Sequence, residues 1–334
     1  MITPRLFRRS LRQALQWRFL LLWLALVGVP AAVALAPLSA RLHGILDHSS
    51  RAKELVAALD SHAIVDLLKQ TREPGFGPSL GAGGALATLL AILLMPFGAG
   101  AALAMARSEE PLRFGTLLAG AGENYGRMLR MLAVAILPLG VAAVAAGALM
   151  KGISKFEQRA LLESQAMRAT RLSMAAIALV FFVAQLTLDA GRAHFAAEPH
   201  RRSAFLAWWS GVRLLVRLPL RVLGFGLGTA LTGAGLSAAF LLLRLRIQQA
   251  GPLTVLVAFL LAELAVASVG WDRAARLVGL AELVRADAAE RLRAFDRTPV
   301  RISPPPEPAP TLQTQSATLD PLGPPSAAVE PEKS

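Results

Sequence analysis

The chain contains no cysteine. Disulfides, thiolate metal sites and thiol nucleophiles are therefore excluded, while the redox compartment stays undetermined. Charge is also scarce. Only 17% of the 334 residues are Asp, Glu, Lys or Arg, and lysine is rare beside arginine. A soluble helical bundle of this length needs a polar face on each surface helix, and this composition cannot supply one. No serine sits in a G-x-S-x-G turn, and no phosphate-binding glycine loop occurs. His43, His48 and His62 share one segment with Asp47 and Asp60. Five-residue spacing does not put two imidazoles on one helical face, so no metal site is expected there. His194 and His200 flank an amphipathic stretch and are expected in solvent. These absences exclude the commoner enzyme signatures and suggest a protein that is not an enzyme and carries no cofactor.

What the chain does have is apolar length. It is 54% hydrophobic, with a mean hydropathy of +0.51. A bilayer core takes about 20 apolar residues per helical crossing. Six runs qualify: residues 19–40, 80–106, 131–150, 174–190, 222–243 and 252–270. The expected fold is all-α and integral to the membrane. The first run is longer than the roughly 7–15 residues of a signal-peptide core, so it reads as an uncleaved crossing. The formal charge of +13 comes from arginines beside the apolar runs. That placement suits anionic lipid headgroups, not nucleic acid. Assigned to alternate loops, 23 basic residues fall on the side of both termini and 12 on the other. The positive-inside rule then puts both termini in the cytoplasm of a bacterial inner-membrane protein.

A repeated unit underlies this order. In "EPLRFGTLLAGAGENYGRMLRM" (110–131), Phe114, Leu117, Leu118, Ala121, Tyr125, Met128 and Leu129 line one helical face. Arg113, Thr116, Glu123, Asn124, Arg127 and Arg130 line the other. In "RRSAFLAWWSGVRLLVR" (201–217), Phe205, Trp208, Trp209, Val212, Leu215 and Val216 oppose Ser203, Ser210, Arg213 and Arg217. Residues 3–16 repeat the division more weakly, with Arg5, Arg8, Arg9 and Arg12 opposite Phe7, Leu11, Ala14 and Leu15. Each stretch reads as a helix lying in the interface on the cytoplasmic side, ahead of an outward and a returning crossing. Its arginines are placed to meet phosphates and its Trp and Phe rings to reach the acyl boundary. Lipid-interface candidates are Arg113, Arg127, Arg130, Trp208, Trp209, Arg213 and Arg217. A fourth amphipathic stretch, 272–295, follows the last crossing.

Polar residues inside the apolar runs are the remaining candidates. Glu263 falls near the middle of the sixth run. A carboxylate at bilayer depth is costly unless paired, protonated or wetted, so it is either a solute or proton site or a structural hydrogen-bonding group. Asp189 with Arg192, and Asp272 with Arg276, stand at i, i+3 and i, i+4 at the ends of runs four and six, with Gln185 one turn before Asp189. Each pair is expected to neutralise itself near the headgroups. Pro30, Pro96 and Pro138 interrupt runs one to three. Gly224 and Gly228 in "GFGLGTALTGAGL" are spaced for close helix packing. Residues 41–79 form the longest external segment, with two short helices expected after Ser49-Ser50 and Ser61. From 298 to 334 the chain is rich in proline, and a disordered cytoplasmic tail is expected.

The order of interfacial helix, crossing and "LDAGRAHFAAEPHRRSAF" exit resembles a group of uncharacterised bacterial six-crossing membrane proteins. More distantly it is similar to the membrane domain joined to some glycerophosphodiester phosphodiesterases. The likeness covers roughly residues 1–295. It implies a membrane module and brings no catalytic residue with it. The function expected is a scaffold that binds anionic lipid and docks a protein partner through the interfacial helices or tail, in support of envelope assembly. The alternative is a small-solute or lipid permease that uses Glu263.

Overall fold

The computed structural model describes residues 4–46, 76–108, 110–157, 163–247 and 251–297. The two helices expected within 41–79, after Ser49-Ser50 and Ser61, and the tail 298–334 lie outside the described residues. Residues Met1–Glu290 form one compact unit. The second, Arg291–Ser334, is described only as far as Arg297, and that part is helical.

Among the described residues the chain is helical and has no strand. The helices are α1 (Pro4–Ala14), α2 (Trp17–Leu46), α3 (Phe76–Arg107), α4 (Phe114–Glu157), α5 (Glu163–Ala197), α6 (Ala204–Arg217), α7 (Pro219–Arg246) and α8 (Pro252–Arg297). Six of these, α2–α5, α7 and α8, are long and apolar enough to cross a membrane. Their outward faces carry Ile136, Val141, Val144, Leu172, Leu231 and Leu253, each more than half exposed to the surroundings. Such faces are stable only against hydrocarbon. The chain is a multi-pass, all-α membrane protein.

The core is concentrated at one end of the bundle, here called the crowded end. It draws on the first turns of α2 (Phe19, Trp23), the last of α3 (Leu103, Met105) and the first half of α4 (Leu117, Met131). The last turns of α5 (Leu186, Phe195), the start of α7 (Val222, Phe225) and α8 from Ala274 to Val284 complete it. The far end contributes only a few buried apolar residues, such as Ala87, Ala142 and Ala258.

Three amphipathic stretches take a different form from the one expected. Residues 110–131 are no separate helix lying flat. From Phe114 they are the first turns of α4, whose apolar length of 42 residues runs about 63 Å. That is twice a hydrocarbon core, so this helix projects beyond it. Its first turns fold back along the end of α3, where a Cβ at Gly100 would stand 2.7 Å from the Ala121 carbonyl oxygen. The α6 helix is separate, capped by Ser203. It too folds back along the preceding helix, since a Cβ at Gly211 would meet the Gly191 nitrogen at 2.5 Å and the Thr187 carbonyl at 2.7 Å. The buried positions recur with the same 4-and-3 spacing, Leu117, Ala121 and Asn124 in α4 and Ala207, Gly211 and Leu214 in α6. Small residues let the two backbones close up, and this favours an antiparallel hairpin over a flat helix. His194 is drawn into the α5–α6 hairpin, its side chain only 12% exposed, while His200 stays exposed.

The fourth amphipathic stretch departs furthest. Residues 272–284 of α8 are buried on almost every side. The segment reads as amphipathic because it carries Asp272, Arg276 and Glu282, with the exposed Arg285 just beyond it, yet it is the centre that other helices surround. The small residues Ala274, Ala275, Gly279 and Ala281 admit those neighbours. Gly279 leaves room only for the Phe225 ring of α7. That ring also sets the phase of α7. Its buried stripe is Val222, Phe225, Gly226, Thr229 and Gly233, so Gly224 is exposed and the expected Gly224/Gly228 seam is displaced.

Candidate functional site

The two acid–base pairs that the sequence places in separate spans meet across α5 and α8. Within α5, Arg192 Nη1 donates to Asp189 Oδ1 at 2.6 Å, and Gln185 Nε2 reaches the same oxygen at 3.4 Å. Within α8, Arg276 Nη2 donates to Asp272 Oδ2 at 2.8 Å. The link between helices is Arg276 Nε, 3.3 Å from Asp189 Oδ2. Arg192, Asp189, Arg276 and Asp272 thus alternate in one chain of charge. Asp189, Asp272 and Arg276 are each less than 9% exposed. Two carboxylates against two guanidiniums leave the chain neutral, as burial requires.

Each member's position has a local cause. On α5 the i, i+3 spacing stacks Arg192 over Asp189, and on α8 the i, i+4 spacing stacks Arg276 over Asp272. Gly233 of α7 lets the Asp272 side chain in against the helix, where a Cβ would collide with it. One Asp272 oxygen, Oδ1, is buried without a hydrogen-bond partner. The α5 side of the network opens on a cavity of about 220 Å³. Its polar wall is Gln185, Asp189, Arg192 and Arg273, and its apolar wall includes Pro96 and Met128. Arg273 also covers the Trp23 ring at 5.3 Å, which ties α8 to α2.

Around this network, side chains close the helix ends. The last carbonyls of a helix have no partner within it and attract cations. Arg107 of α3 donates to the Phe195 carbonyl of α5 at 2.8 Å, and Arg285 of α8 to the Ala106 carbonyl of α3 at 2.7 Å. Gln13 of α1 donates to the carbonyls of Met105, in α3, and Ser108, just past its end, at 3.2 and 2.5 Å. Trp271 of α8 donates to the Leu11 carbonyl of α1 at 3.0 Å, and Trp23 of α2 to the Val266 carbonyl of α8 at 3.2 Å. Sequence reasoning counted Arg107 and Arg285 only as topological charges and passed over Gln13. Their place in the last turn of a helix, or one helix away from it, was the available signal.

The remaining candidates do not join the network. Glu263 is half-buried and makes no hydrogen bond or ion pair among the described residues. It precedes Asp272 by nine positions, about 13–14 Å along the axis and half a turn round it. Trp208 turns its Nε1 inward to the Thr187 hydroxyl at 3.2 Å, while Trp209 is 43% exposed under Arg213, 5.9 Å away. Arg113, Arg130, Arg213 and Arg217 are exposed at the crowded end, and Arg127 is half-buried. No group of three His, Asp or Glu among the described residues is placed to hold a metal ion.

Compared with models of protein families, with curated proteins and with solved structures, the chain matches none.

Proposed function

We propose that this chain is a non-enzymatic scaffold of the bacterial inner membrane, its termini cytoplasmic, that holds anionic lipid and protein partners at its crowded end in support of envelope assembly. The observation that carries this reading is the neutral Arg192–Asp189–Arg276–Asp272 chain beneath outward-facing Arg113, Arg130, Arg213 and Arg217. The buried charges spend themselves on one another and on joining helices. The exposed ones are left for partners. Guanidiniums beside exposed aromatic rings suit phosphate headgroups with acyl chains below them. The resemblance to a membrane domain joined to some glycerophosphodiester phosphodiesterases agrees with an accessory role.

The test is to purify the full chain in mild detergent and identify what stays bound. Anionic phospholipid enriched over its share of the membrane is expected. Arg213→Gln/Arg217→Gln, or removal of residues 298–334, is expected to change the set of co-purifying proteins. Lipid retained in bulk proportion, with an unaltered protein set, would contradict the scaffold.

The 220 Å³ cavity favours a second reading, a permease. Its polar wall is Gln185, Asp189, Arg192 and Arg273, so this reading moves the working carboxylate from Glu263 to Asp189. Flux into proteoliposomes that falls in Asp189→Asn but not in Glu263→Gln would favour it.

A further inference from the structure

We infer that the cleft between the α1–α2 corner and the α3–α4 linker is a site for a phospholipid whose headgroup carries two phosphodiesters. The inference rests on the lipid-binding part of the proposed function and adds a place and a headgroup to it.

The cleft measures about 700 Å³ and is open on one side. Its walls carry Arg8, Arg9, Arg12 and Arg18 and, among the described residues, no carboxylate. Arg8 and Arg12 are one helical turn apart on the same face of α1, and both are exposed. Like charges at that spacing repel and cost helix stability unless an anion lies between them. Neither makes an ion pair or hydrogen bond among the described residues. Arg9 does have a carboxylate, Glu282 at 3.6 Å. Arg18 spends Nη1 on the Leu112 carbonyl at 3.0 Å and lies 5.3 Å from the Trp17 ring centre. A guanidinium has five N–H donors, so most of Arg18's remain for a ligand.

The cleft is built, not a chance gap between side chains. Gln16 is 9% exposed at the corner between α1 and α2. Its Nε2 donates to the Gln13 carbonyl at 3.1 Å, and its Oε1 accepts from the Leu112 N–H at 3.3 Å. One side chain therefore fixes the corner and the linker opposite.

Charge and surroundings choose the ligand. A phosphodiester carries one negative charge, so one alone leaves two of Arg8, Arg12 and Arg18 in surplus, and two leave only one. Phosphate suits guanidinium through paired N–H donors. A lipid is favoured over a soluble diphosphate by the rim. Leu15 and Trp17 are 64% and 65% exposed there, and Trp17 begins the first candidate span. Exposed apolar rings at the start of a span mark the depth of headgroups.

The full chain in detergent is titrated with the two-phosphate lipid diphosphatidylglycerol, with the one-phosphate lipid phosphatidylglycerol, and with inorganic pyrophosphate. Complexes are counted by native mass spectrometry. At least tenfold preference for the two-phosphate lipid is expected. Arg8→Gln/Arg12→Gln is expected to lose about tenfold or more of that affinity. Arg168→Gln/Arg171→Gln, an exposed pair in the first turns of α5 at the far end, is expected to lose less than threefold. Thermal unfolding of the first variant should match or exceed the parent, since it relieves repulsion, and this separates lost binding from lost fold. Equal affinity for both lipids, or equal loss in the two double variants, would overturn the site while leaving general lipid binding intact. Pyrophosphate binding as tightly as the lipid would overturn the choice of a lipid. If the parent chain retains no anionic lipid at all, the proposed function fails with it.

Discussion

Arg276 holds two carboxylates at once, Asp272 on its own helix and Asp189 on α5. Removing it leaves Asp272 buried without a cation, whereas removing Asp272 leaves Arg276 still paired to Asp189. Breaking a buried pair from one side typically costs about 3–5 kcal/mol. Arg276→Met is therefore expected to lose about 3 kcal/mol or more of stability, and Asp272→Asn clearly less. Equilibrium unfolding in mixed detergent measures both. An Arg276→Met variant within about 1 kcal/mol of the parent would mean that the network does not hold α5 to α8. The sequence showed each i, i+3 or i, i+4 pair but not their meeting, because local spacing carries no information about which helix lies alongside. Glu263 drew attention for its depth alone, and depth does not specify a partner. Thr187 and Gln16 meet partners on other elements, Trp208 and the Leu112 N–H, which local spacing does not reveal.

Among the helices, the hairpins α3–α4 and α5–α6 depend on backbone contact. A methyl group at Gly211 would press on backbone atoms of Gly191 and Thr187, which have nowhere to retreat. Gly211→Ala is expected to destabilise by about 1–3 kcal/mol. Gly147, in the exposed outer half of α4, has open space around it. Gly147→Ala is expected to be neutral or stabilising by up to about 1 kcal/mol through helix propensity alone. The same unfolding assay checks the pair, and equal effects would refute close packing at Gly211. The apolar runs were legible because hydrocarbon imposes a simple rule of length and composition. The amphipathic stretches were legible as helices but not as hairpins. A face of Ala, Gly and Leu suits a lipid surface and a neighbouring helix alike. In 272–285 the charged residues suggested solvent, whereas their partners lie on α1, α3 and α5.

At the scale of the compact unit Met1–Glu290, burial is uneven from one end to the other. Buried side chains, helix-end caps and the charge network gather at the crowded end, and the far end presents mostly apolar surface. The scaffold proposed above requires the crowded end to face the cytoplasm, with α4 and α5 meeting near the opposite surface. The absence of cysteine makes this directly measurable, since any introduced thiol is the only one in the chain. Gly115→Cys, Arg202→Cys and Ala288→Cys mark the crowded end, and Ser154→Cys and Arg246→Cys the far end. All five positions are exposed. A membrane-impermeant maleimide added to intact spheroplasts is expected to label the two far-end thiols at once, and the other three only after the membrane is opened. Labelling of position 115, 202 or 288 from outside, at the rate seen for 154 and 246, would contradict the arrangement.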